Sequence, residues 1–346
     1  MTSTKFSLAE LGWKEVFEKQ LSSKDIKHLI PARVTITHRG HVVVNTGHEE
    51  HLLQIAEKGV GSLNEQPTVG DWLLLDRETM TPERVLDRTS LLQRMAPGQE
   101  VKLQPIAANI DTLFIVSSCN EEFNLNRIER YICLALEAGI EFVLVLTKED
   151  LTGEADEYRR QAEELFPDIE ILTINGKDTE SVRVLHKWFR QGETVVLLGS
   201  SGVGKTTLLN TVNGTEKKKT GAIREGDSKG RHTTTTRSLH VMPSGAILVD
   251  VPGIRELQLH DCMSGINKTF HEVARAEEMC RFADCSHNRE PGCAVREGLE
   301  AGSIDPRRLE NYLKLKEEAE KNREEIAEKT RRKDGKKKKY SRKWKK

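Results

Sequence analysis

The chain has 346 residues, 36% hydrophobic and 31% charged, which allows two or three domains with ample buried core. No run approaches the roughly 18 apolar residues of a membrane span, and Met1 to Asp25 lacks the basic start and apolar middle of a signal peptide, so the expected location is the cytoplasm with no membrane partner. Formal net charge is zero, yet residues 331–346 hold eleven basic residues against one acid, Asp334; this stretch carries +10 and the preceding 330 residues carry −10.

Residues 1–31 read as a mobile N-terminal extension with one short helix, in which Ser7 and Glu10 have capping-box spacing and Leu8, Leu11 and Phe17 give a weak apolar face. From 32 to 100 the pattern changes to short β-type runs between turns. Val34 and Ile36 alternate with Thr35 and Thr37, Arg39-Gly40 turns the chain, and Val42 to Val44 and Trp72 to Leu75 resume. A small barrel is expected, and periodicity allows SH3-like and OB-type closure equally. Arg33, His38, Arg39, Trp72 and Arg84 are its sparse candidates for RNA contact, with core and surface roles equally allowed.

Residues 105–261 alternate apolar strands (Leu113 to Val116, Phe142 to Leu146, Val195 to Leu198, Ile247 to Val249) with helical stretches such as Leu125 to Ala138 and Tyr158 to Leu165. Such alternation predicts an α/β fold with a mostly parallel sheet, whose ligands bind at the carboxyl ends of the strands. Thr147-Lys148-Glu149-Asp150 follows one strand and resembles the N-K-x-D guanine reader. The Asp150 carboxylate can accept from the N1 and N2 donors of guanine, which adenine cannot supply, and the Lys148 stem can cover the base face. Gly199, Ser200, Ser201, Gly202, Val203, Gly204, Lys205 and Thr206 fit G-x-x-x-x-G-K-[ST] between a strand and a helix that continues through Thr207 to Val212. The glycines let backbone N–H groups turn inward on a polyphosphate, Lys205 can reach the β/γ-phosphates, and the Thr206 hydroxyl can ligate Mg²⁺.

In Gly230-Arg231-His232-Thr233-Thr234-Thr235-Thr236-Arg237, a hydroxyl such as that of Thr234 or Thr235 can join Mg²⁺ and the γ-phosphate and let go after hydrolysis, as in a switch loop. Asp250-Val251-Pro252-Gly253 supplies a strand-end carboxylate for the Mg²⁺ shell and a glycine N–H for the γ-phosphate. Ile254 stands where many GTPases place a water-orienting Gln, which leaves His232 as the candidate for that task. The base reader precedes the phosphate loop, the reverse of the ordinary GTPase order, so the P-loop GTPase domain is circularly permuted.

Of six cysteines, Cys119, Cys133 and Cys262 are isolated and expected to be ordinary reduced residues. Cys280, Cys285, His287 and Cys293 form C-x4-C-x-H-x5-C. Three thiolates and one imidazole close a tetrahedral shell with no position for water, the donor set of a structural Zn²⁺ site, whereas a disulfide would leave one cysteine over. Asp305-Pro306 then opens a helix, completing a zinc-binding helical module over 262–328. Residues 329–346 are expected to be a basic disordered tail seeking phosphate, with Tyr340 and Trp344 available for stacking.

The permuted motifs, the G-x-H-T-T-T switch and the Cys/His pattern resemble the ribosome small subunit-dependent GTPase A family over about Arg33 to Tyr312. The resemblance implies an OB-type barrel at 32–100. It also implies a GTPase (GTP to GDP and phosphate) using Mg²⁺ and one structural Zn²⁺, acting as a monomer in late maturation of the 30S subunit and contacting 16S rRNA. Thr147 departs from the family's usual Asn, offering a hydroxyl where an amide bridges base and phosphate loop; Ile171 to Gly176 holds the place of the second base loop without its S-A-K signature. The alternatives from other classes are a P-loop kinase or ATPase, and a nucleotide-regulated RNA-binding scaffold with little turnover.

Overall fold

The structure is a computed structural model that describes residues 6–38, 40–54, 66–95, 103–214, 237–250 and 262–343. The chain divides into two compact units, Met1–Gln93 with Pro105–Asn124 and Ala138–Glu256, and Arg94–Gln104 with Leu125–Glu137 and Leu257–Lys346.

In the first unit, two short helices, α1 (Glu15–Glu18) and α2 (Ser23–His28), precede the strands β1 (Leu29–His38), β2 (His41–Asn45), β3 (Glu50–Gln54), β4 (Trp72–Asp76) and β5 (Pro82–Val85). A two-stranded ribbon follows, β6 (Leu91–Met95) with β7 (Leu103–Ala108). The α/β part then runs β8 (Thr112–Ser118), α3 (Leu125–Glu137), β9 (Glu141–Thr147), α4 (Ala155–Leu165), β10 (Ile171–Ile174), α5 (Thr179–Val182), β11 (Thr194–Leu198), α6 (Lys205–Val212), β12 (Arg237–Val241) and β13 (Ile247–Asp250). All but β6 and β7 join one sheet of order β10-β9-β8-β11-β13-β12-β1-β2-β3, with β4 on β1 and β5 on β4. From β10 to β13 the ladders are parallel. Strands β8 and β11 are buried at every residue, as expected where both faces are covered.

β1 joins the two halves of this sheet. Its first half pairs with β4 and its last residues pair on the same edge with β12, Ile36 opposite Ser238 and Thr37 opposite Arg237. On its other edge it pairs with β2, with a register shift between Val34 and Ile36 that bends the strand. Ala32, Val34, Val42, Val44, Leu53, Leu73 and Leu75 form the core of this region. The described ladders run β3-β2-β1-β4-β5, and among the described residues none joins β3 to β5 to close an OB-type barrel.

The N-terminal segment departs from the mobile extension expected of it. The Ser7–Glu10 capping box forms, Ser7 N donating to Glu10 Oε2 (2.7 Å) and Glu10 N to Ser7 Oγ (3.2 Å). Beyond it, Leu11 and Phe17 are buried against Trp72, Leu74 and Leu86, and Trp13 meets Trp72 edge-on at 4.8 Å. Burying these side chains outweighs the entropy of ordering about 25 residues only because a complementary aromatic face awaits them.

In the second unit, α3 accompanies the C-terminal helices α7 (Met263–Thr269), α8 (His271–Glu278), α9 (Ala294–Glu300) and α10 (Pro306–Lys343). The expected division at 261/262 keeps α3 with the α/β region in sequence, while by its contacts this helix groups with the C-terminal helices. Gly265 allows α7 to lie on α3: a Cβ there would stand 2.1 Å from Cys133 O. Glu129 of α3 is fully buried, and its carboxylate accepts from Arg307 (2.9 Å to each oxygen), Arg308 (3.1 Å) and Asn311 (2.5 Å). With several donors the buried charge is compensated, and removing any one would leave it costly. α10 also corrects the disordered tail placed at 329–346, since its helical backbone continues to Lys343. Lys, Arg and Glu are good helix formers, and a helix already nucleated by its packed first turns extends at little cost.

Phe17→Ala is expected to destabilise the protein by about 3 kcal/mol in urea unfolding, the typical cost of emptying a buried aromatic site. Unchanged stability would mean that the N-terminal segment lies outside the fold.

Candidate functional site

β8 pairs with β11 up to Ile115–Leu198 and with β9 up to Ser118–Thr147, so β11 ends three residues before β9 at the same, carboxyl end of the strands. The chain leaving β11 crosses the end of β8 so closely that a Cβ on Gly199 would lie 2.2 Å from Val116 O, and only glycine fits. Gly204, at φ +91°, turns the loop into α6. Lys205 Nζ folds back over the loop, donating to Gly199 O (2.7 Å) and Ser200 O (2.6 Å). Val203 is buried beneath, while Ser201, Gly202 and Thr206 are exposed and Thr207 is half-buried on α6. A loop of this form, closed by a lysine and ending at a helix N-terminus, can wrap an anion.

The Thr147 side chain is 1% exposed. Its hydroxyl lies 3.1 Å from Ser117 O and 2.5 Å from Val203 O, the second being a carbonyl of the phosphate loop. A single proton serves both acceptors. The departure from Asn thus keeps a link between the reader and the phosphate loop, made by a hydroxyl. Lys148 adopts a left-handed conformation, φ +64°, unusual for a residue with a side chain, and turns the chain into a 3-10 segment, Glu149–Leu151. Glu149 Oε1 accepts from Ser181 Oγ (2.9 Å), whereas Asp150 is exposed. β10 runs parallel to β9, which brings the 171–176 segment beside the reader. Asn175 N donates to Ser181 Oγ (2.9 Å), and Thr211 of α6 donates to Gly176 O (2.7 Å).

Asp250 ends β13, half-buried and opposite Ser238 of β12. The structure thus gathers Thr147–Asp150, Gly199–Thr206 and Asp250 at the carboxyl ends of neighbouring parallel strands, where ligands of open α/β sheets bind. His232, Thr234, Thr235 and Gly253 lie outside the described residues, as do Arg39 and Ile254.

In the second unit the thiols of Cys280, Cys285 and Cys293 and the His287 ring converge, with one ligand atom from each lying within 4.8 Å of all the others. Cys280 Sγ is 3.9 Å from Cys293 Sγ and 3.7 Å from His287 Nδ1, and Cys293 Sγ is 3.5 Å from the same nitrogen. Tetrahedral Zn–S bonds of about 2.3 Å separate neighbouring sulfurs by about 3.8 Å, so the cluster is compatible with zinc. His287 presents Nδ1 inward from a left-handed backbone, φ +61°. Its Nε2 faces Glu277 Oε1 at 3.2 Å, and the Glu277 carboxylate also accepts from Tyr312 (2.6 Å) and Lys316 (2.7 and 2.8 Å) of α10. Burial pushes the Glu277 carboxyl up, but Lys316, Tyr312 and His287 together hold it below its ordinary value. No spacing rule in the sequence points to Glu277 or Ser181, because each acts through a partner distant along the chain.

The candidates for RNA contact at 32–100 fare differently. Arg33 is 1% exposed, donating to Leu11 O and to Thr194 Oγ1 (2.8 Å), and burial pulls its guanidinium down to about 10. Trp72 is fully buried, and Arg84 is engaged with Gln20 O (2.7 Å) and Asp25 (3.1 Å). Arg33 and Trp72 are internal ties, closed to RNA, whereas Arg84 is tied to the N-terminal segment with its side chain still 41% exposed. His38 is half-buried beside His41, ring centroids 4.6 Å apart.

Residues 85–260 match the family model described as RsgA GTPase. A relative from Vibrio parahaemolyticus, "Small ribosomal subunit biogenesis GTPase RsgA 2", is 46% identical over 95% of this chain and 90% of its own length. The chain belongs to the RsgA GTPase family. Another relative, from Mesorhizobium japonicum and named "Small ribosomal subunit biogenesis GTPase RsgA", is 42% identical over 93% of this chain and 92% of its own. Among solved structures, YjeQ from Thermotoga maritima aligns over 83% of this chain and 97% of its own with a TM-score of 0.58 and 27% identity. YloQ, described as a circularly permuted GTPase, shares the fold at a TM-score of 0.56 and 22% identity, over 84% of this chain and 95% of its own. An ABC transporter model also matches residues 182–343, a span that includes the phosphate loop. No helix among the described residues is long and apolar enough to cross a membrane.

Glu277→Gln is expected to lower zinc affinity by about 10- to 100-fold in chelator competition, because the imidazole loses the carboxylate that orients it. Unchanged affinity would show that Glu277 serves only to dock α10.

Proposed function

We propose that this member of the RsgA family is a GTP-hydrolysing assembly factor that binds the small ribosomal subunit late in its maturation, in the cytoplasm. What carries the reading is the convergence at the carboxyl ends of parallel strands of a carboxylate-bearing turn, a glycine loop with lysine and a strand-end aspartate, in permuted chain order. Its relatives' names, at 42–46% identity over nearly the whole chain, support the ribosomal assignment.

In this reading Asp150 accepts from the guanine N1 and N2 groups and Lys148 covers the base. The N–H groups of Gly199 to Thr206 cradle the phosphates. Lys205 exchanges its loop carbonyls for the β/γ-phosphates, which offer a full negative charge in place of two dipoles. Thr206 and Asp250 hold Mg²⁺, which neutralises charge developing on the phosphates. Thr234 or Thr235 closes the switch, Gly253 meets the γ-phosphate, and His232 orients the attacking water when the switch is docked. Cys280, Cys285, His287 and Cys293 hold a structural Zn²⁺ that contributes to folding of the second unit. Contact with 16S rRNA is assigned to the basic residues 331–346, a salt-sensitive attraction.

GTP turnover by the full chain is expected to be slow alone and stimulated by purified small subunits. Lys205→Ala is expected to cut the stimulated rate by about 100-fold or more, the scale on which transition-state charge is stabilised by one donor. A parent rate indifferent to subunits would leave a nucleotide-regulated scaffold as the better account. Lys205→Ala turning over at the parent rate would remove the phosphate-loop assignment.

A further inference from the structure

We propose that Ser181 is a positioning residue for guanine recognition: with Glu149 it braces the turn that presents Asp150 to the base. The proposal rests on the assignment of Asp150 as the reader and concerns what holds it in place.

Asp150 itself is exposed, so its direction depends on the backbone that carries it. That backbone is unusual. Lys148 is left-handed, at φ +64°, and the next three residues form a single 3-10 turn, too short to be stable alone. On the upstream side the turn is held by the buried Thr147 hydroxyl. On the downstream side the side-chain tie is Ser181 Oγ to Glu149 Oε1, at 2.9 Å and half-buried. The same hydroxyl accepts from Asn175 N (2.9 Å), so one group joins the reader turn to the loop after β10. Ser181 is placed in turn by Asp178, whose carboxylate accepts from Ser181 N (3.2 Å) and Glu180 N (3.3 Å) at the start of α5.

The brace has an electrostatic side as well. Glu149 and Asp150 are adjacent carboxylates, and a Glu149 free to swing would compete for the donors that Asp150 must meet. A charge-assisted bond to Ser181 keeps Glu149 engaged elsewhere. Ser181 touches neither base nor phosphate in this account; it acts through Glu149.

The test compares binding of GDP and inosine diphosphate, whose base lacks the 2-amino donor, by the full chain and its variants. The parent is expected to prefer GDP, because Asp150 pairs with both guanine donors. Ser181→Ala should weaken GDP by about tenfold and inosine diphosphate by less, narrowing the preference, and Ser181→Thr should restore it. Glu149→Ala should narrow it similarly, and the double variant should be no worse than either single one, as for two residues acting through one bond. Asp150→Asn is the control. If Asp150→Asn abolishes the preference while Ser181→Ala keeps the parent ratio, even with both affinities lowered, Ser181 does not position the reader and the proposal fails. If Asp150→Asn leaves the preference intact, the reader assignment itself fails and takes the proposal with it.

Discussion

The parallel pairing of β8 with both β9 and β11 is the constraint from which the site follows. It fixes where two segments of the chain leave the sheet, three residues apart, and forces the loop after β11 across the carbonyl of Val116. Glycine at 199 is therefore a requirement of strand geometry as well as of phosphate approach. The same register sets Thr147 beneath the loop, where its hydroxyl can reach Val203 O. Phosphate loop and base reader, about fifty residues apart and in reversed order, are thus tied at the level of one hydrogen bond.

Permutation changes which elements the chain enters from this edge. Leaving β8, it forms α3, which belongs to the second unit, and returns as β9 to carry the reader. Leaving β13 at Asp250, it enters that unit again at α7. The second unit is joined covalently to both β9, which leads to Asp150, and β13, which ends in Asp250, and its interior is stiffened by the compensated Glu129 charge and by the His287–Glu277–Tyr312 chain of contacts. At its other edge the sheet passes through β12 into β1, so the strand that follows the switch segment is hydrogen-bonded to the N-terminal region.

The parts of the site legible in the sequence were those whose chemistry is local. Gly199 to Thr206 and the Cys280–Cys293 spacing declare themselves because a loop or a metal shell is built from near neighbours. The strands of the α/β region were likewise legible as continuous apolar runs, since burial on both faces removes alternation. What escaped depends on distant partners. Leu11 and Phe17 give too weak a pattern to reveal that Trp72 waits for them, and Arg33 and Trp72 look like RNA contacts until burial turns them inward. Likewise α3 reads as an ordinary crossover helix, because the sequence does not announce that Glu129 is met by Arg307, Arg308 and Asn311. Helix beyond residue 329 is hidden in the sequence because the density of like charge there masks the helix propensity of Lys and Arg and the nucleus supplied by the packed first turns of α10.

The central claim is the proposed GTPase that binds the small ribosomal subunit; a hydrolysing switch on that subunit requires the GTP and GDP states to differ in attachment, and cosedimentation tests this most directly. The full chain, mixed with isolated 30S or 50S subunits, is spun with a non-hydrolysable GTP analogue or with GDP. The account predicts retention on 30S with the analogue, release with GDP, and no comparable retention on 50S. Equal association in both nucleotide states, or a preference for 50S, would contradict it.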